Sequence, residues 1–329
     1  MFKNYLKIAW RNLWKNKGYT FINVGGLALG MAVTLIIGLW ILDELSYNSY
    51  FKNQDKIAQV FQSQTFNGET GTGPAIPRPL EKGLRDGYSD NFKYLIMCSW
   101  TNDHYLKYGE KSISRPGNYM QKEGPEMFGL EIIKGEKDGL REINSIMLSE
   151  STANALFGNE DPIGKTVTVS NEHKLNVSSV YKDIPVNNSF NDTDFIIPWE
   201  KYLANNEWIR NAEDQWGNNS FQMFVQIADN TSFEKITNTI KDVKKNLNPD
   251  SSEFNPQLFL FPMKDWYLRS SFENGKQNGG RIKYVWLFGI IGAFVLLLAC
   301  INFMNLSTAR SEKRGKEVGI RKSIGSQRG

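Results

Sequence analysis

YVWLFGIIGAFVLLLACINFMNL, Tyr284–Leu306, contains no charged side chain and passes directly into STARSEKRGKEVGIRKSIGSQRG, residues 307–329. As a helix rising about 1.5 Å per residue, the first stretch is long enough to cross a hydrocarbon layer of about 30 Å. The second stretch reverses its character. Leu306, Ala309, Lys313 and Lys316 are too mixed to make a buried helical stripe, while Val318, Ile320 and Ile324 set apolar knobs among the cations. A charged helix with apolar knobs, leaving a membrane, suits docking onto a soluble partner. It equally suits a solvated juxtamembrane helix held near anionic lipid by its Lys and Arg. The residues alone leave both readings open.

Working outward, Phe21–Leu42 is a second uncharged run of similar length. Both runs contain glycines (Gly25, Gly26, Gly30, Gly38; Gly289, Gly292), which allow close approach of helices in lipid. Gly26-x-x-x-Gly30 fits the small-xxx-small pattern, a common and weak signal. Elsewhere the chain is polar, with a mean hydropathy of −0.43 over 329 residues, so most of it is soluble protein. The net charge of +4 hides a split: residues 1–20 and residues 302–329 each carry +5, leaving −6 for everything between. Lys and Arg flank membrane helices on the cytoplasmic side, so both ends are expected inside and the middle outside. An acidic middle also argues against a nucleic-acid partner.

Before the first run, Phe2, Leu6, Ala9 or Trp10, and Leu13 recur at helical spacing beside Lys3, Lys7, Arg11 and Lys15. This predicts an amphipathic helix over residues 2–17, lying in the headgroup plane or acting as a simple cationic anchor. A cleaved signal peptide fits poorly, because the apolar run is too long and Trp40–Glu44 lacks small residues at a cleavage position.

Between the runs, the pattern predicts a strand over Ile57–Phe66, a Gly/Pro/Thr-rich loop from Gly68 to Pro79 and a short helix over Pro79–Gly87. Ser145–Ser149 reads as a strand, and Ser151–Phe157 as a helix stopped by Gly158. Asp161–Lys165 then makes a turn into strands at Lys165–Ser170 and Leu175–Tyr181. Phe221, Met223, Val225 and Ile227 alternate with Gln222 and Gln226 as a half-buried strand. Thr231 and Glu234 form a capping box. The helix it opens carries Phe233, Ile236, Ile240, Val243 and Leu247 on one face, and Gln257–Phe261 is the last strand before a Gly/Asn/Lys-rich connector. The fold class is therefore a membrane protein, two transmembrane α-helices flanking a mixed α+β extracytoplasmic domain.

Three stretches resemble one family. NFMNLSTARSEKRGKEVGIRKSIGS, residues 302–326, is similar to the segment after the second membrane helix of MacB-like, FtsX-like ABC transporter permeases. Arg314, Glu317, Val318, Gly319, Ile320, Arg321, Lys322 and Gly325 match its core, R-x-x-E-[IV]-G-I-R-K-x-[IV]-G, position by position. Residues 9–32 resemble the family's R-N-L-x-[RK]-N-K start and first membrane helix. The junction at Asp43–Phe51, and the order strand, helix ending in Phe157-Gly158, Asp161-Pro162-Ile163-Gly164-Lys165, two strands, resemble its periplasmic core domain. The resemblance implies a permease subunit whose coupling helix, at those eight positions, contacts a separate cytoplasmic ATPase. It implies a homodimer or pseudo-dimer in a bacterial inner membrane, and substrates among peptides, macrolides and lipoproteins, or transmission to cell-wall hydrolases. Expected limits are residues 1–20 for the amphipathic helix, 21–43 and 284–306 for the membrane helices, 44–283 for the core domain and 307–329 for the coupling segment. Since the family carries further membrane helices, the chain reads as an N-terminal portion.

Chemistry of other kinds finds no motif. His104 and His173 have no ligand set around them at metal spacing, and neither a nucleophile elbow nor a zinc-protease motif occurs. Gly158–Thr166 imitates a phosphate-binding loop, yet five residues separate Gly158 from Gly164 where the motif needs four. No catalytic residue, cofactor site or metal site is therefore expected. Cys98 and Cys300 are the only cysteines; Cys300 falls in the second run, so Cys98 is expected as a lone buried small residue. The competing layout is a two-pass membrane receptor with an extracytoplasmic sensor, which should continue into heptads that residues 307–329 do not show.

Overall fold

The computed structural model describes Asn4, Lys7, Trp10, Arg11, Trp14 and residues 17–325; of Tyr19, Ala309, Arg310, Lys313, Arg314, Glu317 and Arg321 it describes the backbone. The amphipathic helix expected over residues 2–17 lies mostly outside the described residues, although Lys7, Trp10, Arg11 and Trp14 are helical. The chain divides into two units, residues 46–281 and the helices on either side of them in sequence.

The helical unit pairs Lys17–Leu45 with Ile282–Ser323. Neither helix contains a proline, and their apolar spans, Thr20–Leu45 and Ile282–Thr308, have mean hydropathies of 2.2 and 2.5. Phe21, Ile36, Leu39 and Trp286 are exposed along them, as side chains meant for lipid are. The two helices run antiparallel, with Gly30 against Ala299 and Gly292 against Ile37. A Cβ on Gly30 would come within 2.5 Å of the Ala299 Cβ, so glycine there sets the closest approach. Thr34 donates its hydroxyl to the Gly30 carbonyl at 2.8 Å and lies 3.3 Å from that of Gly292, and Trp40 meets Phe288 edge-on at 5.0 Å.

Residues 46–281 are built on one large sheet, with a separate two-stranded hairpin at Ser271–Glu273 and Lys276–Gly279. Among the described residues its strands are β1 (Ile57–Phe66), β2 (Glu69–Gly73), β3 (Ile76–Pro77), β4 (Phe92–Cys98), β5 (Asn102–Tyr108), β6 (Lys111–Met120) and β7 (Ile132–Gly135). They continue as β8 (Ser145–Ser149), β9 (Thr166–Val169), β10 (His173–Tyr181), β11 (Phe195–Pro198), β12 (Asn219–Ile227) and β13 (Gln257–Pro262). The main path runs β11-β8-β10-β9-β5-β6-β4-β12-β1-β13, and β11 also pairs with β6. That extra pairing closes β11, β8, β10, β9, β5 and β6 into a barrel, parallel at β8–β10 and β6–β11 and antiparallel elsewhere. Closure removes edges that would otherwise be exposed. Val167, Leu175, Ile146, Leu148 and Phe195 are fully buried, and Gly117 has no side chain because the Phe195 ring occupies the space, 2.5 Å from where its Cβ would be.

The remaining strands, β4, β12, β1 and β13, form an open antiparallel sheet. Strand period puts Ala58, Val60, Met223, Val225, Leu95 and Met97 on one face, joined in the core by Leu80 and Leu84 of helix Pro79–Tyr88 and by Ile236, Ile240 and Val243. The opposite face carries Ile57, Phe224, Ile96 and Cys98, with Phe51, Phe128, Phe190 and Met263 packed on it. β12 is thus covered on both sides: Gln226 is 4% exposed, which corrects the expectation of a half-buried strand with glutamines facing water. Barrel and open sheet join where β4 pairs with β6 at Cys98 opposite Met120, flanked by the Ser99 amide donating to the Tyr119 carbonyl and the Gln121 amide to the Met97 carbonyl.

Two local expectations need correction. Residues 68–79 are not one loop: Asn67 and Gly68, at φ 49° and 85°, turn β1 into β2 as a hairpin, the conformation an Asn-Gly pair favours. The helix Phe233–Ile240 is capped by Ser232, whose hydroxyl accepts from the Lys235 amide at 3.3 Å; Thr231 is not the cap. Val243–Leu247 is a separate short helix.

Candidate functional site

The last helix does not stop where its apolar character does. It continues through residues 307–323 as one element of 42 residues, about 60 Å long at 1.5 Å per residue and twice what a hydrocarbon core needs. Continuity follows from local chemistry: Lys, Arg and Glu are good helix formers, no proline interrupts, and Lys316 pairs with Glu312 one turn away at 2.9 Å. Gly315 and Gly319 weaken the segment as helix-interior glycines but leave its surface open, with nothing within 4 Å of their missing Cβ positions. The end is set by Gly325 at φ +84°, a left-handed residue of the kind that closes helices, with the Ile324 amide bonded to the Ile320 carbonyl at 3.1 Å.

The eight sequence-matched positions fall on this extension. Backbone helicity at positions 314, 317, 318, 321 and 322 gives the spacing i, i+3, i+4, i+7, i+8, which is one stripe of a helix. Val318 is 65% exposed, and Lys322 is exposed beside it. Ile320 and Ile324, 57% and 78% exposed, share another side. Gly319 lies between the two sides, and Gly325 ends the helix. The side chains of Arg314, Glu317 and Arg321 lie outside the described residues. The described arrangement is a rod on which Val318, Ile320 and Ile324 stand exposed among cations.

In residues 46–281 the chemistry-bearing residues are tied into structure. His104 Nδ1 lies 2.9 Å from the Ser170 hydroxyl, its ring edge-on to Phe195 at 5.6 Å, and burial lowers its basicity. His173 lies 3.7 Å from Glu172. Among the described residues no three His, Cys, Asp or Glu side chains converge on a metal position. Cys98 is buried, and desolvation pushes its thiol far above the ordinary range.

The loop that imitates a phosphate site is a strut between helix and barrel. Gly158 caps the helix Glu150–Phe157, and Gly164, at φ +75°, donates its amide to the Val177 carbonyl at 2.8 Å. The Lys165 ammonium, which a phosphate would need, pairs with the Glu160 carboxylate and sits 5.4 Å from the Tyr108 ring centre. That pairing keeps the Glu160 carboxyl below the ordinary carboxylate range.

One concave feature was not visible in the sequence. Gln59, Gln222 and Asn118 share a cleft with Trp100 and Trp266 at the strip where barrel and open sheet join. These residues come from five separate segments, so no local spacing announces them. The partial signal was the glutamines alternating along β12.

Comparison with known proteins places this architecture. The family described as MacB-like periplasmic core domain matches residues 20–243. A macrolide export ATP-binding/permease protein MacB of Neisseria meningitidis is 23% identical over 194 residues, covering 59% of this chain and 27% of that protein. Its counterpart from Neisseria gonorrhoeae is 24% identical over 200 residues, with the same coverages. The chain thus aligns with only about a quarter of the length of these relatives. A solved domain of a proposed permease from Porphyromonas gingivalis superposes with a TM-score of 0.53 at 17% identity, covering 72% of this chain and 98% of that one; it shares the fold. With the family's pattern spanning most of the first helix and the greater part of residues 46–281, the chain belongs to the MacB/FtsX-like family of ABC transporter permeases and is a membrane protein whose extracytoplasmic part is the MacB-like periplasmic core domain.

Proposed function

We propose that this chain belongs to a permease subunit that couples a separate cytoplasmic ABC ATPase to movements of its extracytoplasmic domain, for export or mechanotransmission. The observation that carries the reading is the unbroken helix Ile282–Ser323, which joins an apolar span to the matched stripe without a hinge. A lever of this kind transmits displacement because every turn is hydrogen-bonded to the next, so a push on residues 314–325 moves the span as a body. Both ends lie in the cytoplasm on this reading, in keeping with +5 at each end and −6 between. Cationic flanks would hold the ends at anionic lipid, and the working unit would be a homodimer or pseudo-dimer. The chain itself would be non-catalytic, with ATP hydrolysis in the partner.

The stripe names its own test. Glu317→Arg and Arg321→Glu are introduced into the full-length permease, which is co-purified with its ATPase from membranes. Loss of the ATPase, with membrane insertion retained, is the expected outcome. Undiminished recovery of the ATPase would reassign residues 307–329 as a lipid-facing basic helix and make the two-pass receptor the working description.

A further inference from the structure

Where β6 meets β4 the covering of the open sheet is incomplete, and a cleft of about 370 Å³ remains. That is near the lower end of the range of about 300–1,000 Å³ for small-molecule sites, which favour junctions between lobes. Two tryptophans stand in its wall, each held by its polar edge: the Trp100 N–H donates to the Ser220 carbonyl at 2.9 Å and that of Trp266 to the Phe261 carbonyl at 2.8 Å. Trp100 is 42% exposed, a fixed ring with apolar surface open to solvent.

The amides of the cleft are not equivalent. Gln59 donates to Gln222 at 2.8 Å, and Gln222 donates to the Ser99 carbonyl at 3.1 Å, so these two form a closed relay. Asn118 is only 1% exposed, reaches Thr101 at 3.5 Å through its NH2 group, and has no partner for its Oδ1. Exchanging its oxygen and nitrogen would leave an N–H unpaired instead, so the deficit stays in either assignment. An unpaired buried amide oxygen is unfavourable, and because Asn118 lines the cleft, a small rotation of its side chain would bring the amide to a donor seated there. The exposed carboxylate of Asp192 lies at the rim, and no Lys or Arg lines the cleft.

We infer that this cleft binds a neutral saccharide of one or two rings. A pyranose has an apolar C–H face that lies flat on an indole, and hydroxyls that donate and accept together, which is what a fixed Trp100 beside an unpaired Asn118 amide requires. An anionic ligand would find no cation. A hydrocarbon would leave the Asn118 oxygen unpaired. A cationic amphiphile would have only one exposed, solvent-screened carboxylate. The inference rests on residues 46–281 alone and does not depend on the ATPase reading.

The test uses the full chain in lipid nanodiscs, free of glycoside detergents. Saturation-transfer NMR and tryptophan fluorescence are followed as N-acetylglucosamine, its β1,4-linked dimer and maltose are added, with inorganic phosphate and phenethylamine as comparators. At least one saccharide should bind saturably at about millimolar level or better, and Trp100→Ala and Asn118→Ala should each weaken it about tenfold. Thermal melts check that Asn118→Ala folds; Trp100→Ala, at a partly exposed ring, is the second variant and keeps the test independent of a folding defect. The inference is overturned if no saccharide saturates, if only phosphate or the amine binds, or if Trp100→Ala leaves saccharide binding unchanged.

Discussion

Lys244 offers the sharpest quantitative test of residues 46–281. Its side chain is fully buried, with Nζ 2.7 Å from Gln62 Oε1 and 3.0 Å from Asn219 Oδ1, and the bonds it makes are to amides. Desolvation without a countercharge lowers its pKa to about 8. The unfolded chain, titrating near 10.5, therefore binds more protons than the folded one between these values, so stability rises with pH across the window from about 8 to 10.5. At about 1.36 kcal/mol per unit, the penalty for holding the cation is about 3 kcal/mol at pH 7 and between about 1 and 2 kcal/mol at pH 9.5. Lys244→Met removes that penalty but leaves Gln62 Oε1 without this donor, a loss of about 1–3 kcal/mol at either pH. Asn219 Oδ1 keeps its bond from Gln62 Nε2 at 2.8 Å. The variant should therefore match or exceed wild type at pH 7 and lose about 2 kcal/mol relative to it by pH 9.5. Urea unfolding followed by tryptophan fluorescence at both pH values gives the difference directly, and tyrosine ionisation, common to both chains, cancels. A variant destabilised equally at the two pH values would refute the reasoning, because it would mean that Lys244 titrates normally in the fold.

Other outcomes follow from single contacts. Gly30→Leu should separate the two apolar helices, since even a Cβ there meets Ala299 at 2.5 Å. Disulfide formation between cysteines placed at Ile37 and Gly292 should fall several-fold, while Gly38→Leu, where nothing lies within 4 Å, should leave it intact. Cys98, buried and with its thiol pushed far up, should resist a thiol reagent at about pH 8 in a Cys300→Ser background and react once the chain is unfolded. Labelling at the rate of an exposed thiol would show that the strip between β4 and β6 opens readily.

Legibility varied with how local the governing physics is. The strand Ile57–Phe66, the helix from Pro79, the strand Ser145–Ser149 and the helix stop at Gly158 were readable because alternation, an N-terminal proline and a terminal glycine act within a few residues. Asn67-Gly68 was equally readable, yet the surrounding Gly, Pro and Thr concealed the hairpin behind a loop-like composition. The cap at Ser232 was misplaced by one residue because Thr231 and Ser232 are chemically interchangeable as caps. Residues 88–120 went unread. They supply β4, β5 and β6, whose exposed Lys, Asp and Asn side chains blur their alternation.

The sequence by itself determined the two lipid-compatible spans and the direction of charge, because apolar length and net charge are properties of contiguous residues. Only the tertiary structure decided that the last helix pairs with the first through Gly30, that β11 closes a barrel on β6, and that both faces of β12 are buried. It also decided that Asn118 and Trp100 share a cleft with Gln222, more than a hundred residues away in the chain. Those outcomes depend on which distant surfaces meet, and side chains from separate strands share a site only once strand register has aligned them.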